Sequence, residues 1–259
     1  FSDVTSEAGL LFSEDAGYLS FFDSDNDGDD DLITAQFWNN CKFFINNGDG
    51  TFTDYSTESG LVISPWVASQ NMTIGDYNND GLLDIFMNYY GNTYAHLFIN
   101  NGNNTFSDVT AVTTAMGPSI NTIGRGCNFV DVDNDGYQDI YVTYQNDASG
   151  HLPDYLWHNK SDGIFDEVGE SANINAKNAT SSCPAADLDN DGDVDFIVMG
   201  HTNALFRNDS KAGNWLHINL RGNGKTVNYN AIGCKVKIIT GTLKQLKQVI
   251  GNGGRRSQN

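Results

Sequence analysis

Long apolar runs are missing from this sequence. Nowhere do about 18 apolar residues follow one another, so it holds no candidate for a membrane-spanning helix. It opens with neither an initiator methionine nor a signal-like apolar segment, and the expectation is a mature or trimmed product. Basic residues are scarce: 14 Lys and Arg stand against 33 Asp and Glu, a formal net charge of −19. That balance leaves no basic face for nucleic acid or an anionic membrane surface, so neither is an expected partner. Cysteine is limited to four residues with no Cys-x-x-Cys, which gives no support to a zinc or dithiol redox centre. Cys127 and Cys183 stand at equivalent places before two acidic repeats and could meet, while buried free thiols are an equal expectation for all four.

Catalytic signatures are also lacking. His96, His151, His158, His201 and His217 are scattered, there is no Gly-x-Ser-x-Gly elbow, and no glycine loop leads into a helix to cradle phosphate. The expectation is a protein that is not an enzyme.

What the sequence has in abundance is aspartate in one arrangement. "DSDNDGDDD" starts at Asp23, "DYNNDGLLD" at Asp76, "DVDNDGYQD" at Asp131 and "DLDNDGDVD" at Asp187, at intervals of 53, 55 and 56 residues. All four read D-x-[DN]-x-D-G-x-x-D, and a fixed period of this size marks a repeat architecture. Of the sixteen side chains at loop positions 1, 3, 5 and 9, fifteen are Asp and the other is Asn78. So many like charges in one loop repel unless a cation joins them. Carboxylates at alternate positions of a tight loop suit Ca²⁺, which takes about six to eight oxygens at about 2.3 to 2.6 Å, better than Mg²⁺. Gly28, Gly81, Gly136 and Gly192 permit the turn, and position 7 (Asp29, Leu82, Tyr137, Asp193) offers a main-chain carbonyl. Up to four Ca²⁺ ions are expected, which would move the formal charge from −19 to −11.

An EF-hand loop begins the same way but needs a Glu at position 12, where this chain has Thr34, Met87, Val142 and Val198. The flanks, such as "YLSFFD" and "DLITAQF", are short β-branched and aromatic runs that read as strands. A second hairpin follows in "KFFINNGDGTFTDY", "HLFINNGNNTFSDVT" and "YLWHNKSDGIFDEV". Four strands per repeat with no long helical period predict an all-β fold of β-propeller blades. The aromatic segments "AQFWNN" and "MNYYGNTYAH" are expected to pack between blades, with sugar stacking as the less favoured alternative.

Loop, glycine, strand flanks and the N-N-G-D-G-T-F turn together resemble the FG-GAP or VCBS repeats of integrin-α-like propellers, over roughly residues 1 to 210. The resemblance implies metal ligands at Asp23, Asp25, Asp27 and Asp31, at Asp76, Asn78, Asp80 and Asp84, at Asp131, Asp133, Asp135 and Asp139, and at Asp187, Asp189, Asp191 and Asp195. The tail from "NWLHINLRGNGK" onward is similar to the ASPIC/UnbV family, with Cys234 where a small Ala is usual and without a closing strand after Ser257 and Gln258. The expected organisation is an outer strand of an incomplete or closing blade over 1–16, propeller repeats over 17–213 with loops 23–31, 76–84, 131–139 and 187–195, and a truncated β domain over 214–259. Four loops are too few for a seven-bladed ring. Either upstream blades, another part of the molecule or a neighbouring molecule completes it.

Five N-x-[ST] sequons, at Asn71, Asn103, Asn159, Asn178 and Asn208, are candidate glycosylation sites, although Asn is also a common turn residue. Weak Ca²⁺ loops of this kind work at extracellular concentrations, so a secreted or cell-surface location is expected. The leading expectation is a non-catalytic, calcium-binding module for adhesion or recognition whose partner is an extracellular protein or glycan. The alternatives are a subunit of an extracellular glycoprotein fibre that binds copies of itself by strand exchange, and a propeller-based polysaccharide or phosphoester hydrolase or lyase.

Overall fold

A computed structural model of the chain describes residues 1–11, 16–36, 41–62, 68–91, 95–114, 122–145, 153–175, 182–200, 203–210 and 213–250. Among the described residues the fold is all-β apart from one helical turn at Thr110–Thr113, and its antiparallel strands follow the sequence repeat. Blade 1 is β1 (Ala16–Phe22), β2 (Asp31–Gln36), β3 (Lys42–Asn46) and β4 (Phe52–Asp54), hydrogen-bonded in that order. Blade 2 is β5 (Ala68–Gly75), β6 (Asp84–Gly91), β7 (His96–Asn100) and β8 (Phe106–Asp108). Blade 3 is β9 (Thr122–Val130), β10 (Asp139–Gln145), β11 (Tyr155–Asn159) and β12 (Phe165–Glu167). Each acidic loop joins the first two strands of its blade.

The fourth repeat departs from the expected four strands. Among the described residues it has β13 (Ala185–Ala186), β14 (Asp195–Val198) and β15 (Ala204–Phe206) only. The reason is local: Phe52, Phe106 and Phe165 open the outer strands of blades 1 to 3, and no aromatic follows at the equivalent place after Asn208. The opening segment also differs from expectation. Residues 1–4 have no regular structure and 5–9 form a turn, so residues 1–6 make no outer strand. Phe1 is exposed. The segment instead lies on blade 1, where the Phe52 amide donates to Ala8 O at 2.9 Å, as the Phe106 amide donates to Ser59 O at 2.6 Å one repeat later.

Second strands are buried on both faces, as in Asp84 to Tyr89 and Asp139 to Tyr144, because each blade is packed between neighbours. Three apolar clusters do this packing. Phe22, Ile33 and Phe43 meet Met72, Ile85 and Phe98; Phe86 and Leu97 meet Ile140, Val142 and Phe165; Tyr141 and Leu156 meet Phe196 and Val198. Full burial of each such side chain stabilises by about 1.5 to 3 kcal/mol. Tyr89 is buried in the first cluster, in line with packing rather than sugar stacking. Residues 37–40 and 92–94, which complete the two aromatic segments, lie outside the described residues.

The tail contributes a hairpin, β16 (Lys235–Thr240) and β17 (Leu243–Gln248), turning at Gly241 with φ of 64°. An isolated two-stranded hairpin is marginal in water, and this one is docked: Leu246 joins the first apolar cluster. Residues 214–259 carry eight Lys and Arg and no acid, so residues 1–213 hold a formal charge of −27 against +8 in the tail. All four cysteines are free thiols; burial pushes Cys41 up to about 12, and Cys127 and Cys183 are also raised by burial. Among the described residues no helix is long and apolar enough to cross a membrane.

Candidate metal centres

The four acidic loops share one hydrogen-bond plan, which explains why the sequence repeats so strictly. The position-1 carboxylate accepts the amides of positions 5 and 6: Asp76 takes Asp80 N at 3.1 Å and Gly81 N at 3.0 Å, and Asp131 takes Asp135 N at 3.1 Å and Gly136 N at 2.9 Å. Asp23 and Asp187 do the same. Position 5 accepts the amide of position 7, as in Asp80 with Leu82 N at 2.8 Å and Asp135 with Tyr137 N at 2.8 Å. Position 6 needs a left-handed backbone, with φ of 101°, 90°, 93° and 94° at Gly28, Gly81, Gly136 and Gly192.

Position 9 has a structural duty that the sequence pattern alone does not reveal. Both oxygens of each such Asp accept amides: Asp84 takes Asn100 N at 2.8 Å and Tyr77 N at 3.2 Å, and Asp139 takes Asn159 N at 2.8 Å and Val132 N at 2.9 Å. Asp31 and Asp195 repeat this with Asn46 and Ser24, and with Asn208 and Leu188. The position-9 carboxylate therefore clamps the loop to the third strand of its own blade.

The amide side chains at those third-strand ends then reach the preceding blade. Nδ2 of Asn100 donates to Ser24 O at 2.7 Å, that of Asn159 to Tyr77 O at 2.9 Å and that of Asn208 to Val132 O at 2.7 Å. A second set of latches runs the other way, from Asn26, Asn79 and Asn134 at position 4 to the Gly carbonyls of the next loop, Gly81, Gly136 and Gly192. These bonds correct the sequon expectation. Asn159 is fully buried, Asn71 is buried within β5, and the Asn208 amide is committed to a latch, so none presents the nitrogen that a glycan needs. Asn178 lies outside the described residues, and Asn103 is exposed at the β7–β8 turn.

Some of the expected ligands converge in the first, third and fourth loops, while Asp31, Asp191 and the second-loop carboxylates fall in no such group among the described residues. Carboxylate oxygens of Asp23, Asp25 and Asp27 lie within 4.8 Å of one another, as do those of Asp131, Asp133 and Asp135, and of Asp187, Asp189 and Asp195. In the second loop Asn78 replaces a carboxylate and donates to Asp80 at 2.8 Å. Burial, then the charge of Asp80, pushes Asp76 up to about 6, and burial pushes Asp139 up to about 7. Burial likewise raises Asp31, Asp84, Asp131 and Asp135. Crowded carboxylates, buried at position 9 and more open at positions 3 and 5, fit a hard divalent cation, because such an ion supplies the missing counter-charge.

Two features at these loops escaped the sequence reading. Lys235 of the tail hairpin places its ammonium 2.7 Å from Asp23 Oδ2 and also donates to Asp23 O and Asn26. Gln248 bonds Asp23 N and Asp30, and Leu243 and Gln245 crowd Gly136 of the third loop. The uniformly basic composition of the tail was the available signal. His158 is the second: its ring stands between Asp133 and Asp139. Its signal is the comparison of "FFIN", "LFIN", "LWHN" and "LFRN" at one register.

Comparison with known proteins agrees with this construction. A family model for the FG-GAP-like repeat matches residues 23–87, 76–142 and 131–198. Cartilage acidic protein 1 of Homo sapiens is 25% identical over 186 residues, covering 68% of this chain and 27% of that protein. The Mus musculus protein of the same name is 24% identical, covering 68% of this chain and 28% of its own length. This chain thus spans little more than a quarter of the curated relatives it matches. A solved structure of an Agrocybe aegerita lectin, described as recognising non-reducing terminal N-acetylglucosamine, aligns with a TM-score of 0.46 at 19% identity over 82% of this chain and 53% of that one. With matched repeats running from residue 23 to residue 198, the chain belongs to the FG-GAP-like repeat family.

Proposed function

We propose that this chain is an extracellular, calcium-stabilised β-propeller module for adhesion or recognition, with no catalytic role. The observation that carries the reading is the set of repeated loops in which three carboxylates converge within 4.8 Å. Their all-oxygen chemistry suits Ca²⁺, and open extracellular modules bind it at about 10⁻⁴ to 10⁻³ M, a level that cytosol does not reach. The name of the relatives, cartilage acidic protein 1, fits an extracellular setting. The partner class is an extracellular protein or glycan. A formal charge of −27 over residues 1–213 weighs against nucleic acid.

A second reading, a subunit that binds copies of itself, is favoured by the two end blades. Leu19 and Phe21 of β1 are exposed at one end, and Ile197, Met199 and Leu205 at the other. Equivalent faces of the inner blades are covered by a neighbour, so a copy seated there would continue an interface already present in the fold. Filaments in micrographs of the chain in millimolar Ca²⁺ would support this reading; particles of monomer mass at all concentrations would remove it.

Melting curves test the calcium reading and carry a pH signature. A carboxyl whose folded pKa is raised contributes stability that is fully present below its usual 3.8 and lost as pH rises through the raised value. For Asp76 and Asp139 that window runs from about 4 to about 6 and about 7. In chelator, the melting temperature should therefore drop across this range relative to the same chain in millimolar Ca²⁺, which binds the ionised loops. Curves that coincide at pH 7 with and without Ca²⁺ would contradict the reading.

A further inference from the structure

The third loop differs from the others in one side chain. One residue before the Asn that ends the third strand, blade 1 has Ile45, blade 2 Ile99 and blade 4 Arg207, whose guanidinium turns to Asp209. Blade 3 has His158, and its imidazole reaches into the loop. Nδ1 lies 3.1 Å from Asp139 Oδ1, and Nε2 lies 4.0 Å from Asp133 Oδ2. Asp139 Oδ1 is an acceptor already, taking Asn159 N at 2.8 Å, so the ring hydrogen belongs on Nδ1 as donor to this carboxylate. The lone pair is thereby left on Nε2, facing Asp133.

A separation of 4.0 Å is too long for a hydrogen bond. A tetrahedral ion with bonds of about 2.0 to 2.2 Å to each would hold the two atoms about 3.3 to 3.6 Å apart, so the side chains close by only a few tenths of an ångström to share one. Donation of the other ring N–H to a carboxylate is the arrangement that orients metal-binding histidines. Asp133 belongs both to the Asp133, Asp139 and His158 group and to the Asp131, Asp133 and Asp135 group, so it links the imidazole to an existing set of oxygens. Calcium has no use for imidazole nitrogen, whereas zinc and its neighbours favour it. We infer that the third loop is a mixed nitrogen and oxygen site for a transition-metal ion of the zinc class, with His158 Nε2 and Asp133 Oδ2 as ligands and Asp139 orienting the ring. This rests on the reading of the loops as metal cages and assigns one of them a different ion.

The test uses the full chain in millimolar Ca²⁺ titrated with Zn²⁺, and with Co²⁺ as a spectroscopic substitute. One Zn²⁺ per chain is expected, with one Ca²⁺ displaced, and Co²⁺ should give visible absorption bands of a nitrogen-ligated ion. His158→Ile, which installs the residue of blades 1 and 2, should lose about 10- to 100-fold in Zn²⁺ affinity while Ca²⁺ binding at the first, second and fourth loops stays that of the parent. On the unaltered chain, anomalous scattering at the zinc edge should put the ion at His158 Nε2. Equal Zn²⁺ affinity in His158→Ile, or no Zn²⁺ uptake by the parent, overturns the inference. Four Ca²⁺ bound with no Zn²⁺ leaves the calcium reading intact and removes this one; Zn²⁺ at His158 with no Ca²⁺ elsewhere does the reverse.

Discussion

Asp84→Ala is expected to unfold at a much lower urea concentration than Asp80→Ala, although both remove one carboxylate from the second loop. Asp84 is fully buried and accepts the amides of Asn100 and Tyr77, which its loss would leave without an acceptor inside the fold. A buried amide left unpaired costs about 1 to 3 kcal/mol, so the pair should cost about 2 to 6 kcal/mol. Asp80 is exposed, and its charge raises the pKa of its neighbour Asp76, so its removal in chelator relieves repulsion as well as losing a bond to Leu82 N. Both variants should bind Ca²⁺ less well at this loop. Equal urea midpoints in chelator would show that position 9 is a ligand only, without the clamping duty assigned to it.

Replacing Lys235 should cost more stability in chelator than in calcium. Its ammonium is 2.7 Å from Asp23 Oδ2, with side-chain exposures of only 19% and 6%, and removal of one partner from a buried pair typically costs about 3 to 5 kcal/mol. This pair is partly open at the lysine, so the lower end applies to Lys235→Ala in chelator. In Ca²⁺ the cost should shrink, because the ion replaces the ammonium as counter-charge at Asp23. For the same reason Ca²⁺ should bind the first loop more tightly in the variant than in the parent. Denaturant melts of parent and variant, each with Ca²⁺ and with chelator, measure this coupling; a loss of stability of the same size in both conditions would mean that the lysine and the ion do not share Asp23.

The repeat was legible because its causes are local. A left-handed glycine at position 6, carboxylates at alternate positions and flanking strands must all lie within about fifteen residues, so Asp23 to Asp31 declares itself without knowledge of the rest. Long-range duties were not legible. Asn159 satisfies a sequon whether its amide faces water or Tyr77 O, and only packing of blade 3 against blade 2 decides between them. Lys235 and Asp23 stand 212 residues apart, beyond the reach of any local pattern. The outer strand missing from the fourth repeat had a visible sign in Asn214, which stands six residues after Asn208 where blades 1 to 3 have Phe, and which the strength of the loop motif obscured. His158 was visible as a lone histidine, and only its register against Ile45 and Ile99 gives it a direction.

The number of calcium ions that the chain binds, counted by calorimetric titration of chelator-stripped, Zn²⁺-free protein, tests the reading of the loops as metal cages most directly. Up to four per chain are expected, one for each loop, with Asp135→Ala losing the ion of the third loop and Leu82→Ala retaining the parent count because position 7 offers a carbonyl. No saturable Ca²⁺ uptake at millimolar concentration, or a count unchanged by Asp135→Ala, would contradict it.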